Sequence, residues 1–93
     1  MALLQGVYLK AIPSSGTLSK FYMDAMISAR TNKWRYGQAC FNLLCERRTD
    51  LAEQVRATEM DVFHLDGPAS NFETWDKFAT FIEQNWYNQE TID

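Results

Sequence analysis

Apolar residues recur every three or four positions along most of the chain, the spacing of a single helix face. From Thr17 or Ser19, either of which can cap, a helix is predicted to run to about Arg30. Leu18, Phe21, Tyr22, Ala25, Met26 and Ala29 form its stripe. Thr31-Asn32 interrupts this pattern and offers a new cap, so a second helix is expected from about Lys33 to Arg47. Its row is Trp34, Gly37, Phe41 and Leu44, with Cys40 and Leu43 beside it. Gly37 costs up to about 1 kcal/mol against Ala in a helix interior, and is best explained by close approach of another helix.

A short third helix should start at Thr49-Asp50, where Asp50 and Glu53 have capping-box spacing. Leu51, Ala52 and Val55 give it a small apolar face, and it should end near Ala57-Thr58. Glu59 to Ala69, with Asp61, Asp66, Gly67 and Pro68, reads as a loop held on the core by Met60, Val62, Phe63 and Leu65. Ser70 and Glu73 make a second capping box before the most regular helix, with Phe72, Trp75, Phe78, Ala79, Ile82 and Trp86 on one face. The expected fold is all-α, a small single-domain bundle of about four helices with an N-terminal arm. Residues 1–16 are read as arm and loop, 17–87 as helical core and 88–93 as tail. In the arm, Val7, Leu9 and Ala11 alternate with Tyr8, Lys10 and Ile12, which suits a strand, but no second strand-like run exists to pair with it. A helix or irregular arm is the preferred reading over a strand paired with another molecule.

Composition narrows the class further. Of 93 residues, 46% are hydrophobic and 23% charged, with four Gly and two Pro, which excludes disorder and low-complexity sequence. No apolar run approaches the roughly 20 residues that span a bilayer. Met1 to Ile12 lacks a basic leading region, and Lys10 follows the apolar stretch instead of preceding it, so a cytoplasmic location is expected. Cys40 and Cys45 should then stay reduced; five residues apart on a helix, they point about 140° from each other.

Several of these residues carry a resemblance. Arg35-Tyr36-Gly37-Gln38-Ala39, Phe41-Asn42-Leu43-Leu44, Asp50 to Arg56, then Thr58, Asp61, Phe63 and Asn85-Trp86 are similar to small hypothetical proteins of bacteriophages and prophages. The resemblance covers about residues 34–86 and rests on packing and capping signatures. It implies a setting, infection of a bacterial cell, and no activity.

Catalytic chemistry finds little support in the residue pattern. The single histidine, His64, lies in the acidic loop, whereas both cysteines fall on the second helix with no local signature. Two Cys and one His leave a tetrahedral zinc site one ligand short, and Asp61, Asp66 and Gly67 do not have the spacing of a calcium loop. There is no Gly-rich phosphate cradle. No cofactor, metal or enzymatic activity is therefore expected.

Charge is the more informative pattern. Residues 1–57 carry eight basic and four acidic side chains, and residues 58–93 one basic and eight acidic, giving +4 and −7. The two halves can pack so that their fields partly cancel, or the acidic part can steer docking onto a basic protein surface. A third reading has Arg30, Lys33, Arg35, Arg47 and Arg48 bind nucleic acid with Trp34 and Tyr36 stacking, against which stand the net charge of −3 and pI near 5.0. Tyr36, Phe81 and Tyr87 fall on the predicted polar faces, as binding hot spots do. The sequence thus points to a protein that binds another macromolecule. In the setting it gives, the resemblance implies a small phage-type accessory protein that binds and modulates a host protein or complex by steric or electrostatic occlusion, with a nucleic-acid-binding regulator as the alternative and self-association open. The partner-binding residues expected are Glu59, Glu73, Asp76 and Glu83 on the acidic side and Arg35 and Tyr36 on the other.

Overall fold

The structure, a computed structural model, describes residues 15–87; the arm up to residue 14 and the tail from residue 88 lie outside the described residues. Four helices follow in chain order: α1 (Leu18–Asn32), α2 (Tyr36–Arg47), α3 (Thr49–Val55) and α4 (Phe72–Asn85). Among the described residues there is no strand. The fold is the expected all-α bundle.

Helix α1 starts as its sequence predicts, with the Thr17 hydroxyl accepting from the Lys20 amide at 3.1 Å. It runs through Thr31-Asn32 instead of stopping before them. The chain turns at Lys33, whose backbone is left-handed (φ 60°, ψ 42°), and the Trp34 amide folds back onto the Ala29 carbonyl at 2.9 Å. Trp34 and Arg35 therefore belong to a connector, and α2 begins three residues later than expected. The Arg35 amide donates to Gln38 Oε1 at 3.4 Å, half of a capping box whose other half needs an acceptor that arginine lacks.

Helix α3 is N-capped by Arg48 and ends at Val55, before the expected Ala57-Thr58; Ala57 itself is left-handed at φ 58°. Asp50 stands in its first turn and not at the cap, and Arg48 Nε and Nη2 engage its carboxylate at 2.9 and 2.8 Å. The N-cap of α4 is Asn71, accepting from the Thr74 amide at 3.2 Å, one residue past the expected Ser70. Ser70 Oγ instead accepts from the Asp66 amide.

The core gathers Phe21 and Ala25 of α1, Cys40 and Leu44 of α2, Leu51 and Val55 of α3, and Phe78, Ile82 and Trp86 near and along α4. The loop from residue 56 to 71 is pinned as expected: Val62 is fully buried, and Met60, Phe63 and Leu65 pack against the core. What approaches Gly37 is this loop and not a helix. The Gly37 amide donates to the Leu65 carbonyl at 2.9 Å, and a Cβ at residue 37 would meet the carbonyl oxygens of Val62 and Leu65.

Candidate functional site

A groove separates α1 from α4. Leu18 and Tyr22 line its α1 wall, Trp75, Ala79 and Glu83 its α4 wall, and it encloses about 330 Å³. Tyr36, reaching in from the first turn of α2, forms the floor; its ring stacks on Trp75 at 5.4 Å between centroids, and Pro68 closes one end. Past Tyr36 and Pro68 the depression continues into a second pocket of about 500 Å³ against Met26, Ala29, Trp34 and Arg35. The two walls hold their spacing through contacts at one end, where Phe21 of α1 meets Trp86 at 5.0 Å and the Leu18 amide donates to the Tyr87 hydroxyl at 3.1 Å.

The helix period explains which residues border the groove. Phe72, Asp76, Ala79 and Glu83 fall within about 60° of arc on α4, one row away from the buried Trp75, Phe78 and Ile82. Phe72 is 70% exposed, and Asp76 and Glu83 are exposed with no ion-pair partner among the described residues. On the opposite wall Leu18, Tyr22 and Met26 stand four residues apart, with Met23 and Ile27 one row further out, 60% and 58% exposed. Burial raises the Tyr22 phenol well above its ordinary range, and the Cys40 thiol and the Glu83 carboxylate nearby add to the shift.

The four acidic residues expected to act together divide into two groups. Glu83 lines the groove, and Asp76 falls on the same row of α4 by the helix period. Glu59 and Glu73 lie on the other shoulder of α4, sharing Lys77 at 3.0 and 3.5 Å, which raises the lysine pKa chiefly through the Glu59 hydrogen bond. Tyr36 is not on a solvated face: it is half-buried, and its hydroxyl donates to the Tyr22 carbonyl at 3.5 Å. Arg35 is also committed, with Nε and Nη2 on the Phe63 carbonyl at 3.3 and 3.2 Å and its guanidinium over the Phe63 ring. Phe81 packs against the core, leaving Tyr87, 39% exposed, as the aromatic that matches its expected position.

The basic half is largely spent on the fold. Arg48 is 2% exposed, Arg47 holds Asp24 at 2.7 Å, and Arg35 serves the loop, so Arg30 and Lys33 are the exposed members of the expected basic set. His64 is exposed, edge-on to Phe63 at 5.2 Å. Cys40 is buried, its thiol pushed up to about 12 by desolvation, and Cys45 is half-buried against Arg56. Among the described residues no group of three His, Cys, Asp or Glu side chains is placed to hold a metal ion, and no helix is long and apolar enough to cross a membrane.

The groove residues that sequence reasoning passed over are Tyr22, Met26, Trp75 and Ala79, all read there as core. One signal could have separated them. The apolar stripe of α1, once Met23 and Ile27 are added to Leu18, Tyr22 and Met26, is wider than one neighbouring helix can cover. Comparisons with protein-family models, with curated proteins and with solved structures find no match for this chain.

Proposed function

We propose that this chain is a small accessory protein, phage-encoded and cytoplasmic in the bacterial host, that binds a host protein and modulates it by occluding a surface. The observation that carries the reading is the groove: an aromatic floor, an apolar wall and an acidic rim, open to solvent. Aromatic and methionine side chains around a concave surface supply contact area with adaptable shape. Unpaired carboxylates at its edge supply steering toward a basic target. Reading the same chain as a nucleic-acid binder would ask Arg30 and Lys33 to hold phosphate while the engaged Arg35, Arg47 and Arg48 stay in place.

The test is affinity capture from bacterial lysate, with and without nuclease, using the natural chain and a variant in which Glu59, Glu73, Asp76 and Glu83 are all changed to lysine. A protein retained by the natural chain, indifferent to nuclease and lost from the variant, supports the reading. Retention that disappears with nuclease refutes it.

A further inference from the structure

We propose that the groove between α1 and α4 receives a basic amphipathic helix of the partner protein, its apolar face on Tyr22, Tyr36 and Trp75 and its lysines or arginines against Asp76 and Glu83. This rests on the protein-binding reading above and names the class of segment that the site takes.

Shape and charge each narrow the occupant. Leu18 to Met26 spans about 12 Å of α1 and Phe72 to Glu83 about 16 Å of α4, so the walls present roughly two to three turns of helix to a visitor lying along them. A visiting helix with apolar side chains at i, i+4 and i+7 would set them over the Tyr36–Trp75 stack, against Met26 at one wall and beside Phe72 at the other. The α4 rim then decides the sign of the polar flank. Asp76 and Glu83 project from the groove row with no ion-pair partner among the described residues, whereas Lys77, the basic residue of α4, is turned to the far shoulder and held by Glu59 and Glu73. An acidic or neutral helix would leave both carboxylates unpaired at the edge of a desolvated contact; a basic helix pairs them. Arg30 and Asp66 at the far end of the second pocket offer both signs and so do not reverse this preference.

The probe is a synthetic helical peptide of about 14 residues built from leucine and lysine, all leucines on one face, titrated into the full chain while tryptophan fluorescence is followed. A matched peptide with glutamate replacing lysine is the control. Binding of the lysine peptide at least tenfold tighter than the glutamate peptide is expected. That affinity should fall tenfold or more in the Asp76→Lys/Glu83→Lys variant and in Met26→Glu, and stay within twofold in Glu46→Lys, an exposed site on α2 that lines neither part of the groove. These side chains are exposed, and circular dichroism of each variant checks that its helices are kept.

Equal weakening by Glu46→Lys would mean that the peptide senses only net charge, and would overturn the proposal. So would absence of binding by the lysine peptide. Sedimentation identifies the other occupants: a dimer that Met26→Glu dissociates assigns the groove to a second copy, and a monomer that binds no peptide and melts several degrees lower as Met26→Glu assigns it to another segment of the same chain. Either result refutes a partner helix. Lysate capture that survives the Asp76→Lys/Glu83→Lys change would leave the protein-binding reading standing and remove this one.

Discussion

The guanidinium of Arg48 donates to the main-chain carbonyl of Trp86 at 2.6 Å, joining the start of α3 to the end of α4, and its carbon lies 5.5 Å from the Trp86 ring centroid. Its remaining donors reach Asp50, which is half-exposed, while Arg48 itself is buried. That unequal burial predicts unequal mutations. Arg48→Met removes the cation, frees a carboxylate that water can solvate, and leaves the Trp86 carbonyl unpaired, costing about 1–3 kcal/mol. Asp50→Ala strands the buried cation and should cost about 3 kcal/mol. Urea denaturation of the two variants measures the difference, and an Asp50→Ala cost clearly below that of Arg48→Met would contradict this picture.

Acid should unfold the protein partly through two aspartates. Asp50 is held below the ordinary 3.8 by its hydrogen bond to Arg48, and Asp24 by hydrogen bonds to Arg47 and then Lys20. For groups whose folded pKa is depressed, the stabilisation is complete above the unfolded value and disappears as pH falls through the folded one. The melting temperature should therefore decline below about pH 4. In Asp24→Asn/Asp50→Asn that decline should be shallower, since less stabilisation remains to be lost. Thermal melts from pH 6 to pH 2 check this, and parallel curves would rule it out.

Gly37→Ala tests the seam between α2 and the loop. Alanine favours helix by up to about 1 kcal/mol, but its Cβ would run into two backbone carbonyl oxygens that cannot swing aside as a side chain could. Overpacking of this kind costs about 1–3 kcal/mol, and a net loss is expected. Gly67→Ala, with nothing within 4 Å of its added Cβ, should stay within about 0.5 kcal/mol. Chemical denaturation of the pair separates local crowding from the general effect of losing a glycine.

Elements with strong periodicity were legible from residue order, and their ends were not. The rows Leu18–Ala29 and Phe72–Trp86 locate α1 and α4 because burial of one face dictates which side chains are apolar. The α1–α2 junction was misplaced because Thr31-Asn32 looks like a cap. What stops α1 is Lys33 in a left-handed conformation, for which lysine gives no signal. At α4, Ser70 and Asn71 are both good caps, and the Asp66 amide decides by taking Ser70. The groove stayed hidden for another reason: Tyr22, Tyr36 and Trp75 satisfy a core pattern whether or not a second layer covers them. Asp76 and Glu83 were singled out by charge, and only the fold separates them from Glu59 and Glu73.

The two cysteines should differ sharply in reactivity. Thiolates attack disulfide reagents, and the Cys40 thiol, pushed up to about 12 by burial, supplies almost none at pH 8 behind a closed core. Cys45 is half-buried at the surface of α2. A colorimetric thiol titration of the native protein is expected to count one cysteine, and both after denaturation in urea. Prompt reaction of two thiols in the native state would mean that α2 does not stay packed on the core.

Among the described residues two hold left-handed backbone without being glycine, Lys33 at φ 60° and Ala57 at φ 58°. A side chain in that region crowds the following carbonyl, at roughly 1–2 kcal/mol per residue, and glycine escapes this but loses more chain entropy on folding. The balance favours glycine at a helix end, so Lys33→Gly and Ala57→Gly should each stabilise by about 0.5–1 kcal/mol. Neither change removes a partner: Lys33 contributes its amide to the Ala29 carbonyl, and Ala57 its amide to Asp61 Oδ2 at 2.7 Å, both retained by glycine. The sites terminate different helices and share no hydrogen bond, so the double variant should show the sum. Valine at either position should destabilise by more than 1 kcal/mol, because branching at Cβ worsens the same clash. Thermal denaturation of the five variants decides it, and a Lys33→Gly variant that melts below the natural chain would show that the lysine side chain does more at the end of α1 than terminate it.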